Sequence, residues 1–112
     1  IAFNTLGRFI LIVENNGAIA NMQDDAMVEV VCELGINGPR PMSVGNIPQF
    51  YLGLLVQQVS CEKLLVDAYY EHSYQKALEA FTLNRLINDA KVARKILDAR
   101  IEANKGMWPE LK

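Results

Sequence analysis

Ser60 and Lys63 stand three residues apart in Ser60-Cys61-Glu62-Lys63. On a helix that spacing puts a hydroxyl and an amine on one face, where the lysine can take the serine's proton. The Ser-Asp-Asn and Lys-Thr-Gly partners of that chemistry are absent, so the pair reads as part of a solvated polar stripe. His72, beside Glu71, is the only histidine and could shuttle a proton. With no Cys or His at metal-ligand spacing it reads as a surface or helix-end residue. Cys32 and Cys61 would be nucleophilic only if acidified, and in apolar surroundings they read as small buried hydrophobes. Glu29 and Glu33 share one face of a strand, and that face reads as solvated rather than as a glycosidic acid–base pair. Asn15-Asn16-Gly17-Ala18-Ile19 carries more. A glycine-bearing turn at a strand end can offer backbone N–H groups to an anion or a sugar hydroxyl, which makes Asn15, Asn16 and Gly17 a candidate cleft-wall turn. It is not a Gly-x-Gly-x-x-Gly phosphate cradle. No catalytic, cofactor-binding or metal-binding set is expected among these residues.

The elements that position these groups belong to a single domain of 112 residues, 51% hydrophobic and 21% charged, with a formal net charge of -2. That balance excludes a disordered chain and lacks the basic excess of a nucleic-acid binder. Apolar runs such as Phe9 to Val13 and Tyr51 to Val56 fall far short of the roughly 20 residues a membrane span needs. Two cysteines make no disulfide framework, so the expected compartment is reducing, hence cytoplasmic. The chain starts at Ile1, in what reads as the closing turn of a helix ended by Gly7, and it is expected to be a piece of a larger protein.

Arg8 to Glu14 is a short apolar run expected to form a strand buried on both faces. Asn15-Asn16-Gly17 ends it in a tight turn, because asparagine and glycine tolerate positive φ. Met27 to Leu34 reads as a second strand, the segment from Gly35 to Pro41 as turn, and Met42-Ser43-Val44 as a short third strand. A long helix is expected from Asn46-Ile47-Pro48 to Glu71. Gln49, Gly53, Gln57, Ser60, Lys63, Asp67 and Glu71 draw one narrow polar stripe on it. Phe50, Tyr51, Leu54, Leu55, Val59, Leu64, Leu65 and Ala68 fill much of the rest, and a helix apolar over most of its circumference needs cover on more than one side, from a missing domain or an identical partner subunit. Ser73 caps a second helix, and Asn88 or Asp89 a third that Gly106 ends. The fold class is α+β: a small sheet of two or three strands followed by three helices.

Ile12-Val13-Glu14-Asn15-Asn16-Gly17-Ala18-Ile19-Ala20-Asn21, followed by Ala26-Met27-Val28-Glu29-Val30, resembles the C-terminal region of family-4 glycoside hydrolases. The resemblance continues in order through Asn37-Gly38-Pro39, Val44-Gly45, Ile47-Pro48-Gln49-Phe50, Gln57-Gln58-Val59, Glu62-Lys63-Leu64, Ala93-Arg94, Glu102-Ala103-Asn104-Lys105 and Trp108-Pro109-Glu110-Leu111. Within the family it looks closest to the 6-phospho-α-glucosidases. One departure is that Val31, not proline, precedes Cys32.

The resemblance implies a parent enzyme that hydrolyses phosphorylated disaccharides such as maltose 6'-phosphate with NAD and a divalent metal, usually manganese. Its route is oxidation and elimination, outside the two-carboxylate scheme. Residues 1–112 would be its C-terminal domain, with the NAD-binding domain on an absent N-terminal segment. The glycine-rich turn, the metal-binding Cys and His, the base tyrosine and the phosphate-gripping arginine belong to the family's earlier segments. Cys32, His72, Tyr51, Tyr69, Tyr70 and Tyr74 lack the flanking residues of those motifs, so this segment is expected to bind neither NAD nor manganese. It would supply scaffold, part of a cleft wall and a homo-oligomer contact through the apolar helix Pro48 to Glu71. The alternatives are a 6-phospho-β-glucosidase or α-galactosidase of the same family, and a stand-alone helix-docking module.

Overall fold

A computed structural model describes residues 6–87 and 89–112. Three strands precede three helices: β1 (Gly7–Glu14), β2 (Met27–Gly35), β3 (Gly38–Pro41), α1 (Gln49–Glu71), α2 (Tyr74–Leu83) and α3 (Ala90–Ala103). This is the expected α+β order. The chain divides into two compact units, Ile1–Leu54 and Leu55–Lys112. The helix end expected before Gly7 lies, apart from Leu6, outside the described residues, as does Asn88. Gly7 itself opens β1.

The first unit holds an antiparallel sheet in the order β1-β2-β3. β2 alternates as a half-covered strand must. Val28, Val30 and Cys32 are buried, while Met27, Glu29 and Val31 are exposed. The register sets Val13 opposite Val28, Leu11 opposite Val30 and Phe9 opposite Cys32, so these pairs share the inner face. Ala18, Ile19, Met22 and Ala26, from the segment joining β1 to β2, are also buried in this unit.

Two expectations about the sheet need correction. β1 is an edge strand, paired only with β2 among the described strands, and its outer face is open: Ile10 is 66% and Ile12 68% exposed. Its apolar run suggested two covered faces, but a face is covered by a layer packed over the sheet, and the outer one has no such cover within its own unit. The third strand is Gly38–Pro41, not residues 42–44. Its prolines fit because of phase. Met42 N donates to Val31 O at 2.9 Å, and bonded pairs alternate along an antiparallel ladder. Glu33↔Arg40 and Gly35↔Gly38 are therefore bonded pairs, while Pro39 and Pro41, opposite Leu34 and Cys32, fall where no N–H is required.

α1 begins one residue after Pro48, whose carbonyl accepts from Leu52 N at 3.1 Å. The remainder of α1 beyond Leu54 lies in the second unit with α2 and α3. Ala68, Ala77 and Leu97 form its centre, with Tyr74, Leu78, Phe81, Ile101 and Leu111 packed against them. Small residues at the contacts let helices approach closely, and Ala80 and Ala93 are buried as well. The caps are as expected from the residue types. Ser73 Oγ accepts from Lys76 N, and Asp89 Oδ1 accepts from Lys91 N and Val92 N. Gly106, at φ 85°, lies just past the α3 cap Asn104.

The C-terminal residues are tied to the α1–α2 junction. Lys112 N donates to His72 O at 2.8 Å, Tyr74 N donates to Lys112 O at 3.0 Å, and the His72 ring Nδ1 lies 3.3 Å from Glu110 O. His72, at φ 58°, turns the chain between the two helices.

Tyr74 joins α2 to α3 by donating its hydroxyl proton to Asp98 Oδ1 at 2.7 Å. That bond, helped by partial burial, raises the Tyr74 pKa above the usual tyrosine value. The bond's contribution is therefore complete below the ordinary tyrosine range and is lost as pH rises through the higher folded-state value. Chemical denaturation across alkaline pH should show Tyr74→Phe less stable than the parent at neutral pH, with the gap closing as the phenol ionises. A gap that widens with pH contradicts this assignment.

Candidate functional site

Asn15 is the one buried polar side chain among the described residues, and none of its surface is exposed. Its Oδ1 accepts from Ile19 N at 2.7 Å. Its Nδ2 lies 3.1 Å from each of the carbonyl oxygens of Ile19, Met22 and Gln23, so two hydrogens serve three acceptors. Its backbone continues the ladder, N donating to Ala26 O at 2.8 Å, while its carbonyl accepts from Ala18 N at 2.7 Å. One side chain therefore holds both limbs of the loop from Asn15 to Ala26. A carboxamide suits the position because it presents donors and acceptors together.

The Asn15-Asn16-Gly17-Ala18 turn has positive φ at both central residues, 40° at Asn16 and 82° at Gly17, which makes it type I′. Asn16 and Gly17 form its exposed corner, and Asn16 Nδ2 donates to Glu14 Oε2 at 3.2 Å. Of the three residues singled out from the sequence, Asn15 can only position, whereas Asn16 and Gly17 can be touched.

Sequence reasoning did not find the second support of this loop. Ala20 N donates to Gly45 O at 2.9 Å, and Val44 N to Ala18 O at 2.7 Å, around a parallel bridge between Ile19 and Gly45. Asn21 extends it. Its Nδ2 donates to Ile47 O at 2.9 Å, and its Oδ1 accepts from Ile47 N at 3.0 Å, as a neighbouring backbone would. The partners are 26 residues apart, and no local pattern announces them.

The loop's electrostatics restrict its ligand. Residues 9–39 contain no Lys, Arg or His, but Glu14, Asp24, Asp25, Glu29 and Glu33. Such a segment repels a phosphate and can offer backbone, carboxamide and carboxylate groups to neutral hydroxyls.

The other candidates are dispersed. Ser60 Oγ donates to Val56 O at 2.8 Å, so its proton rests on a backbone carbonyl. Cys61 is buried, and burial raises its thiol pKa, the opposite of nucleophile activation. Cys32 is fully buried in β2. Glu33 accepts from Arg40 at 2.9 Å and lies 3.6 Å from Arg8, a cross-strand ladder. It stands four strand positions from Glu29, roughly 13 Å along the strand, too far for a two-carboxylate glycosidase. Among the described residues no group of three or more His, Cys, Asp or Glu is arranged to hold a metal ion.

Replacing Asn15 with Asp keeps the shape but sets an anionic oxygen against carbonyls of Ile19, Met22 and Gln23. Denaturant titration of Asn15→Asp should show a loss of about 3 kcal/mol or more at neutral pH. A cost below about 1 kcal/mol would mean that these bonds do not hold the loop.

Residues 1–87 match the family model described as the family 4 glycosyl hydrolase C-terminal domain. Maltose-6'-phosphate glucosidase of Bacillus subtilis (strain 168) is 58% identical over 99% of this chain and 25% of its own length. The crystal structure of a 6-phospho-alpha-glucosidase from gut microorganisms in complex with NAD and Mn2+ is 87% identical with a TM-score of 0.96, over 100% of this chain and 26% of that one. A second, in complex with NAD and glucose-6-phosphate, is 55% identical with a TM-score of 0.95, over 99% of this chain and 25% of that one. The chain thus spans about a quarter of the length of the relatives it matches. With the domain model covering most of its residues, the chain belongs to glycosyl hydrolase family 4, whose C-terminal domain it matches.

Proposed function

We propose that these residues are the C-terminal domain of a 6-phospho-α-glucosidase whose NAD-binding domain lies on a separate, N-terminal segment. The whole protein would hydrolyse phosphorylated α-glucosides such as maltose 6'-phosphate. The observation that carries this reading is the 87% identity, over the entire chain, to a 6-phospho-alpha-glucosidase in complex with NAD and Mn2+. Among the described residues no group of three or more His, Cys, Asp or Glu is arranged for a metal ion, and the sequence has no Gly-x-Gly-x-x-Gly fingerprint. The part of these residues is to set a cleft wall, with Asn16 and Gly17 at its exposed corner and Asn15 holding that corner in place. Because the loop carries carboxylates and no cation, it would face sugar hydroxyls, leaving the 6-phosphate to basic groups elsewhere.

α1 supports a second part of the reading, a homo-oligomer contact. Phe50 is 71% and Tyr70 77% exposed, with Tyr51, Val66 and Tyr69 also open, and exposed apolar surface of this kind marks an interface. A cytoplasmic location fits a chain in which no described helix is long and apolar enough to cross a membrane and both cysteines are free.

Two measurements test these assignments. The full-length protein should cleave an α-linked nitrophenyl glucoside 6-phosphate in preference to its β-linked isomer, and faster cleavage of the β isomer overturns the substrate assignment. The 112-residue chain should self-associate in sedimentation at high concentration, and a monomer throughout contradicts the α1 contact.

A further inference from the structure

We infer that Asn16 is a site of spontaneous deamidation, selected by the fold over the chain's other Asn-Gly pair and protected against at Asn15. The inference goes beyond the proposed activity and does not depend on it. The reaction needs the following residue's backbone nitrogen to attack the asparagine side chain. Gly17 N forms a bond to Asn16 Cγ as its proton leaves, the Cγ–Nδ2 bond breaks, and Nδ2 departs as ammonia. Water then opens the cyclic imide at either carbonyl, leaving aspartate or isoaspartate.

A following glycine favours attack because no side chain shields its nitrogen, and the sequence offers two such pairs, Asn16-Gly17 and Asn37-Gly38. The structure separates them. Both glycines have open space where a Cβ would stand, but Gly17 N donates to no acceptor among the described residues. Asn16 is exposed, its carboxamide bonded only to Glu14. Gly38 N is committed, because Gly35↔Gly38 is a bonded pair of the β2–β3 ladder. Asn15, one residue earlier, is blocked twice. Four hydrogen bonds hold its carboxamide, and the nitrogen that would attack it, Asn16 N, donates to Asp24 O at 2.9 Å. Deamidation at Asn16 would add a carboxylate beside Glu14 at the exposed corner and, as isoaspartate, would insert a methylene into the type I′ turn.

The test is peptide mapping by mass spectrometry after incubating the folded chain in mildly alkaline buffer at physiological temperature, beside a denatured control. Aspartate and isoaspartate should accumulate at position 16 several-fold faster than at position 37 in the folded protein, and at matching rates in the denatured one. Equal or reversed rates in the folded protein overturn the inference. The variant Asn16→Gly suits a type I′ turn and creates a new Asn15-Gly pair. Its Asn15 should stay intact while folded. Conversion there at the denatured rate would show that burial and hydrogen bonding do not select the site.

Discussion

The arrangement of the sheet unit turns on the Asn15 carboxamide. A loop of this length entering and leaving a hairpin has many inward-facing carbonyls, and each one left without a donor costs about 1–3 kcal/mol. Asn15 answers three of them and one N–H from a single fully buried position. No buried side-chain polar atom among the described residues lacks a partner. Ala18, Ile19, Met22 and Ala26 can be buried only because the backbone that carries them is satisfied in this way. The exposed corner at Asn16 and Gly17 follows from the same bonds, since fixing Ala18 and Ile19 leaves two residues to reverse the chain.

The second support acts at a distance. Backbone bonds from Ala18 and Ala20 to the 44–45 segment, with the Asn21–Ile47 pair beyond them, tie the loop to the stretch that enters α1 at Gln49. The loop is thus fastened at its base by Asn15 and along its flank by Asn21. Both asparagines work by imitating backbone, presenting a donor and an acceptor in one plane. Together they give the polar corner a defined place.

Much of this was readable from residue types. The turn followed from Asn16-Gly17, because left-handed φ is cheap there and costly elsewhere. The α2 cap followed from Ser73, and the α3 cap is Asp89, one of the two residues the sequence offered. The strand pattern of β2 was visible in its alternation. Two errors share one cause. The apolar run of β1 suggests two covered faces, and the density of glycine, asparagine and proline from Gly35 to Pro41 suggests turn alone. Both depend on tertiary neighbours, above the sheet for β1 and alongside β2 for β3, and composition does not carry that information. The loop's flank was hidden for the same reason, as a carboxamide 26 residues from its partner leaves no periodic trace.

Hydrogen exchange measured by NMR tests the Asn15 account most directly. In the parent chain the N–H groups of Ala18, Ile19 and Ala20 should be protected. In an Asn15→Ser variant all three should lose protection together, including Ala20, whose bond is to Gly45 and not to residue 15. If only the Ile19 N–H becomes exposed while Ala18 and Ala20 keep their protection, the loop holds its shape without the carboxamide and the account is wrong.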